Sequence, residues 1–175
     1  METYNTQTYY DQICYVWMES PVGRLLLVAD EEGLLEIAFA EGRTAPVVNP
    51  VWTCGGASLR EPVRQLDAFF AGKLRDFNLA LKPRGTAFQQ RVWKLLREIP
   101  FGETISYGEL ARRAGNPAAS RAAGLANGSN PIAIVIPCHR VIGSNGKLTG
   151  YGGGLENKRW LIDFERSQLF YSAST

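Results

Sequence analysis

The chain reads as an α/β first half followed by a mainly helical second half that contains a helix-turn-helix. Three observations predict this. Short apolar runs at 13–18, 24–29 and 33–39 are separated by turn residues, and a helical pattern follows at 58–70. A second helical pattern opens the other half, with Phe88, Val92, Leu95, Leu96 and Ile99 on one face. Between 106 and 127, two helix-compatible segments flank Gly115-Asn116-Pro117, the layout of a helix-turn-helix.

In order along the chain, Ser20-Pro21-Val22-Gly23 joins the first two runs and the third completes a β-meander. Residues 41–56 are rich in Gly, Pro, Thr and Asn without periodicity, and read as a long surface connection. Leu59, Val63, Leu66, Phe69 and Phe70 follow helical spacing, with Gly72 as the stop. Residues 77–81 alternate like a short strand. Lys82-Pro83-Arg84-Gly85-Thr86 has the composition of a linker, which divides the chain into an α/β structural domain at 1–81, a linker at 82–86 and a second domain at 87–175.

Pro100-Phe101-Gly102 ends the next helix. Ser106 caps a helix over 107–114, with Glu109 at the third position of a capping box, and a second helix is expected over 118–127. That second helix is built from small residues (Ala118, Ala119, Ser120, Ala122, Ala123, Gly124, Ala126) with Arg121 projecting. Its backbone can lie close to another surface, which is either DNA or a neighbouring helix.

The run Asn130-Pro131-Ile132-Ala133-Ile134-Val135-Ile136 reads as a buried strand that ends at Pro137 and delivers Cys138 and the chain's one histidine, His139. A thiol reacts as its thiolate and needs a base to take its proton. Neighbours on an extended chain point to opposite sides, so contact between the two requires a turn after Pro137 or a bridging water. A reactive pair and an inert buried cysteine both fit this stretch. Further on, 149–154 is a glycine-dense loop around Tyr151, able to admit a flat ligand, and 155–169 is an amphipathic helix. Glu165 in that helix is either an exposed carboxylate or the orienting acid of a Cys-His-acid relay.

Composition bounds the rest. Cys14, Cys54 and Cys138 are widely spaced and odd in number, against a disulfide framework and against a metal cluster. Residues 1–12 are polar, without the basic and apolar segments of a secretory leader, so a cytoplasmic protein without a membrane span is expected. The net charge of +2 is unevenly placed: residues 1–85 carry 8 Lys+Arg against 11 Asp+Glu, and residues 86–175 carry 11 against 6. A polyanion would therefore favour the second half.

Taken together, Pro137-Cys138-His139-Arg140-Val141, Phe88-Gln89-Gln90-Arg91-Val92-Trp93, Ile105-Ser106-Tyr107-Gly108-Glu109-Leu110-Ala111, Ser120-Arg121-Ala122, Asn127-Gly128, Asn130-Pro131 and Gly150-Tyr151-Gly152-Gly153 resemble the O6-alkylguanine-DNA alkyltransferase family over about residues 86 to 166. The resemblance implies a ribonuclease-H-like first domain and a DNA-binding helix-turn-helix. It implies single-turnover transfer of an alkyl group from O6-alkylguanine, and from O4-alkylthymine, in double-stranded DNA to Cys138. His139 would activate Cys138 through water, Glu165 would orient His139, and Asn130 would serve as a hinge. Arg121 would fill the gap left by the flipped base and Tyr107 would crowd the 3′ phosphate. Tyr151, Val141 and Gly152 would line the base pocket; Gly152 stands where some relatives carry a hydrogen-bond donor. No cofactor or metal is implied. A monomer is expected, with cooperative loading on DNA left open. The alternative is a lesion-binding helix-turn-helix protein that transfers nothing.

Overall fold

The computed structural model describes residues 13–42 and 45–172. The reading of residues 1–12 as polar and leaderless lies outside them. Strands β1 (Cys14–Met18), β2 (Leu25–Ala29) and β3 (Leu34–Phe39) form the expected antiparallel meander, and β4 (Thr53–Cys54) adds to β1 in parallel, giving the order β3-β2-β1-β4. All of β2 is buried because both faces of the sheet are covered. One face, through Leu25, Leu27 and Ala29, joins a core shared with helix α1 (Ala57–Phe70) and with the second half of the chain. On the other face, Ile13, Leu26 and Val28 are covered by Trp17, Val48 and Trp52. The 41–56 segment is thus more than a surface connection: its far end supplies β4 and a lid of apolar side chains over the sheet. Irregular composition hid this, since two residues of strand carry no periodicity.

Residues 77–81 are not a strand. Only Leu81 bridges to Leu34, through Leu34 N–H to Ala80 O (2.9 Å) and Lys82 N–H to Leu34 O (2.8 Å). Gly33 is needed where they pass, because a Cβ there would lie 2.6 Å from Ala80 O. Lys82 then bonds Asp30 Oδ2 at 2.8 Å, and Asp30 itself accepts from the N–H groups of Glu32 and Gly33.

In the second half, helix α2 (Ala87–Leu96) begins at a complete capping box, Thr86 Oγ1 accepting from Gln89 N–H and Gln89 Oε1 from Thr86 N–H. Its buried Trp93 donates Nε1–H to Ala126 O at 2.8 Å, tying it to the helix-turn-helix. Helix α3 (Tyr107–Arg113) is capped by Ser106, but Glu109 does not reach back to complete the box; its carboxylate holds Arg112 and Arg113 instead. Two guanidinium partners on the same face outcompete one backbone N–H. The second helix starts as a 3₁₀ turn, Pro117–Ala119, before α4 (Ser120–Gly128). Strands β5 (Ile105–Ser106) and β6 (Val141–Ile142) pair in parallel, and α5 (Leu155–Ser172) closes the chain.

The run at 130–136 is buried as expected but is not a strand. It touches β3 through a single bridge, Ile37 N–H to Pro131 O and Ala133 N–H to Ile37 O, then turns, with Ile134 at φ 71°. An apolar run reports burial rather than geometry, and a buried turn satisfies it equally well.

Candidate active site

The turn at 130–136 sets the direction from which Cys138 arrives. Asn130 stabilises the turn from within: its Oδ1 accepts from Ile132 N–H at 3.0 Å and its Nδ2 donates to Ile136 O at 2.8 Å. After Pro137 the chain enters a 3₁₀ turn, Cys138–Arg140, which resolves how two adjacent side chains serve one site. Cys138 faces an open cavity of about 960 Å³, whose walls include Tyr107, Arg121, Asn130, Tyr151 and Gly152. His139 lies behind the wall and is fully buried.

His139 Nε2 is 2.7 Å from Glu165 Oε1, and Glu165 is 1% exposed. Glu165 also accepts from Arg140 Nε and Nη2 (both 3.0 Å at the nearer oxygen) and from Gly102 N–H (2.9 Å). Burial alone would raise this carboxyl, but His139 and Arg140 outweigh it and hold it at about 2. An ionised carboxylate only accepts, so Nε2 carries the imidazole proton and Nδ1 is left with a lone pair. Nδ1 is buried and has no partner among the described residues. Burial, opposed by Glu165, lowers the His139 pKa, so the ring is neutral near pH 7 and Nδ1 is able to take a proton.

Burial raises the Cys138 thiol, while the Asn130 side chain, Lys158 and the local backbone N–H groups pull it back. Lys158 is fully buried, and no carboxylate pairs with it among the described residues. Its Nζ donates to Thr149 O at 2.8 Å and to Tyr107 Oη at 3.4 Å, and burial lowers it to about 8. Tyr107 Oη also donates to Thr149 O at 3.1 Å, which ties the start of α3 to the glycine loop.

The sheet supports the opposite wall. Phe39 at the end of β3 meets Tyr151 edge-on with ring centroids 5.5 Å apart, and Gly153 leaves room for this, since a Cβ there would lie 2.6 Å from the Phe39 ring. Tyr151 is buried and its hydroxyl has no partner among the described residues. Gly152 is exposed on the rim with open space around it. Val141 is buried within β6 and is not among the residues that line the cavity, so the structure does not bring it to the site surface. A groove of about 1060 Å³ along α5, lined by Lys147, Arg159 and Trp160 among others, contains no cysteine or histidine.

Residues 87–167 match the family model for the 6-O-methylguanine DNA methyltransferase DNA-binding domain, and residues 13–83 match that for the ribonuclease-like domain of the same proteins. The methylated-DNA–protein-cysteine methyltransferase of Methanosarcina acetivorans is 54% identical over 153 residues, covering 87% of this chain and 98% of that protein. The chain belongs to this methyltransferase family. The Mycobacterium tuberculosis methylated-DNA–protein-cysteine methyltransferase is 51% identical over 89% of the chain and 94% of that protein. Crystal structures of the M. tuberculosis O6-methylguanine methyltransferase, and of M. tuberculosis OGT in complex with DNA, superpose with TM-scores of 0.83 and 0.82 at 50% identity, covering 89% of this chain and 94% of theirs. An α/β ribonuclease-like part followed by a mostly helical DNA-binding part is thus the fold of this methyltransferase.

Three residues play parts at the site that the methyltransferase sequence alone did not assign to them. Arg140 locks Glu165, Lys158 sits beneath Tyr107, and Asn127 Nδ2 donates to Cys138 O at 3.3 Å. Lys158 carried a usable signal: it lies two helical turns before Glu165, on the face that buries Leu161 and Ile162.

Proposed function

We propose that this protein repairs DNA by direct reversal, moving the alkyl group of O6-alkylguanine, and of O4-alkylthymine, onto Cys138 Sγ in a single turnover. The observation that carries the reading is the buried His139, its Nε2 held by Glu165 and its Nδ1 without a partner among the described residues, one residue from a thiol that faces a cavity large enough for a nucleobase. Cys138 gives its proton, through water, to His139 Nδ1. The thiolate attacks the alkyl carbon, the carbon–O6 bond breaks, and guanine leaves as an anion that takes a proton at N1. A thioether has no hydrolysable bond, so each chain acts once.

The base must leave the helix to reach Cys138, at a cost of a few kcal/mol that is least for a weakly paired lesion. Arg121, exposed on the cavity rim, fills the vacated place, and Tyr107 at the start of α3 crowds the backbone of the turning nucleotide. Tyr151 and Gly152 receive the base, with backbone N–H groups serving O6 where Gly152 offers no side chain. Asn130 couples the end of α4 to the turn that carries Cys138. Residues 87–175 bear this chemistry and residues 1–81 form the scaffold. The protein works as a cytoplasmic monomer; among the described residues no helix is long and apolar enough to cross a membrane.

Exposure to a duplex containing O6-methylguanine is expected to add about 14 Da, the CH₂ gained when S–H becomes S–CH₃, to the peptide holding Cys138. A fully repaired oligonucleotide beside protein of unchanged mass refutes the reading and favours a turning-over enzyme. Binding without repair favours the lesion-binding alternative.

A further inference from the structure

We propose that Asn127 is a positioning residue that fixes the peptide unit between Cys138 and His139, and with it the alignment of thiol and imidazole. The inference rests on the transfer reading above and adds to it a group outside the set of Cys138, His139 and Glu165. Asn127 stands near the end of α4 and is 2% exposed. Its Nδ2 donates to Cys138 O at 3.3 Å, and the same oxygen accepts from Val141 N–H, the bond that closes the 3₁₀ turn. Both lone pairs of that carbonyl are therefore engaged, one by the turn itself and one by a helix that precedes it in the chain. The carbonyl belongs to the one peptide unit that joins the two reactive side chains. Peptide units are planar, so holding this plane sets the directions in which Sγ and the ring leave the backbone.

The anchor for this bond is itself tied down. Ala126 O, one residue before, accepts from Trp93 Nε1 at 2.8 Å and from Ser129 Oγ at 3.0 Å, and Asn127 O accepts from Asn130 N–H at 3.4 Å. Asn130 has a different task, since its amide shapes the turn before Pro137 through Ile132 and Ile136, whereas Asn127 acts on the carbonyl after it. Packing does not account for an amide here. Asn127 Oδ1 is buried without a partner among the described residues, a cost in stability that an apolar side chain of the same branching would not carry. Among the described residues, three of the four buried side-chain atoms left in this state belong to Asn127, His139 and Tyr151, the residues around Cys138. Unpaired polar atoms gathered at one place mark a site kept for chemistry rather than for stability.

Asn127→Leu and Asn127→Ala both remove the Nδ2 donor and the unpaired Oδ1, and differ only in bulk. They are compared with wild type in thermal melts and in single-turnover transfer from duplex O6-methylguanine at increasing protein concentration, which separates affinity from limiting rate. Alkylation by iodoacetamide without DNA, followed on the peptide holding Cys138, reads the thiol alone. Both variants are expected to bind duplex within about twofold of wild type and to lose about tenfold in limiting rate and in alkylation rate, the factor that one net hydrogen bond represents. A rate loss that appears in one variant only and tracks its melting temperature makes Asn127 a packing residue and overturns the proposal. Weaker affinity at an unchanged limiting rate overturns it too, as does a transfer loss that the thiol does not share. Wild type that reacts with iodoacetamide yet repairs no duplex overturns the transfer reading instead, and the alkylation comparison still decides the role of Asn127.

Discussion

Glu165 Oε1 lies 2.7 Å from His139 Nε2 with both side chains out of solvent, and the same carboxylate holds Arg140. Glu165→Gln leaves the Arg140 charge buried and unbalanced, a change expected to destabilise the fold by about 3–5 kcal/mol in urea denaturation at pH 7. The carboxyl is held below its unfolded value of 4.5, at about 2, so its contribution is complete above pH 4.5 and is lost as pH falls towards 2. The gap between wild type and variant should stay flat from pH 7 to 5 and narrow below. A gap independent of pH down to 3 contradicts the assignment.

Lys158 is a buried ammonium near the thiol, and among the described residues no carboxylate pairs with it. Lys158→Met is expected to stabilise the fold by about 1 kcal/mol, since an apolar side chain of similar length removes a desolvated charge. The same change raises the Cys138 thiol further, slowing transfer at pH 7 about tenfold for each unit gained. Because Lys158 titrates near 8, below its unfolded 10.5, wild-type stability rises with pH across that window, and the variant lacks this rise. For both proteins transfer fails at low pH as His139 Nδ1 protonates, with a midpoint below 6.5 because burial depresses the ring. Thiol alkylation and single-turnover rates across pH 4.5–10, set beside thermal melts, test all three statements. A variant that is less stable yet equally reactive would sink the electrostatic role.

Neighbouring glycines in the loop after Thr149 should respond in opposite ways. Gly152→Ala puts a methyl into open space and should leave melting temperature unchanged, whereas Gly153→Ala drives one into the Phe39 ring and displaces Tyr151. The second substitution is expected to cost about 1–3 kcal/mol and to slow transfer. Equal stability of the two variants would show that the loop does not depend on the Phe39 contact.

Ile134 combines burial with φ 71°, a conformation unfavourable for a β-branched residue. Both Ile134→Ala and Ile134→Gly lose the buried side chain, but only glycine relieves the backbone, so Ile134→Gly should be the more stable by about 1 kcal/mol. At Ile136, where φ is not positive, the order should reverse. Chemical denaturation of the four variants decides this.

The positions of the helices, the meander and the thiol could be read from the chain because each leaves a local mark: periodic apolar spacing at 58–70 and 88–99, a cap at Ser106, a proline before Cys138. Glu165 was visible only as an acid on an amphipathic helix, and nothing local told whether it faced water or His139. The same holds for Asn127, whose role depends on which helix face meets which loop. The two misread strands failed for a related reason. Residues 77–81 and 130–136 have strand composition, yet each makes only one bridge to β3, and ladder partners are not written in the segment that needs them.

By itself, the order of residues determined which atoms are capable of reaction and roughly where each helix begins and ends, because propensity and capping act within a few residues. The tertiary structure alone decided that His139 sits out of water with Nε2 against Glu165, that its neighbours hold the Glu165 carboxyl low, and that Cys138 opens onto a cavity walled by both halves of the chain. Protonation and access depend on desolvation and on partners from 26 to more than 100 residues away, and folding is what assembles them.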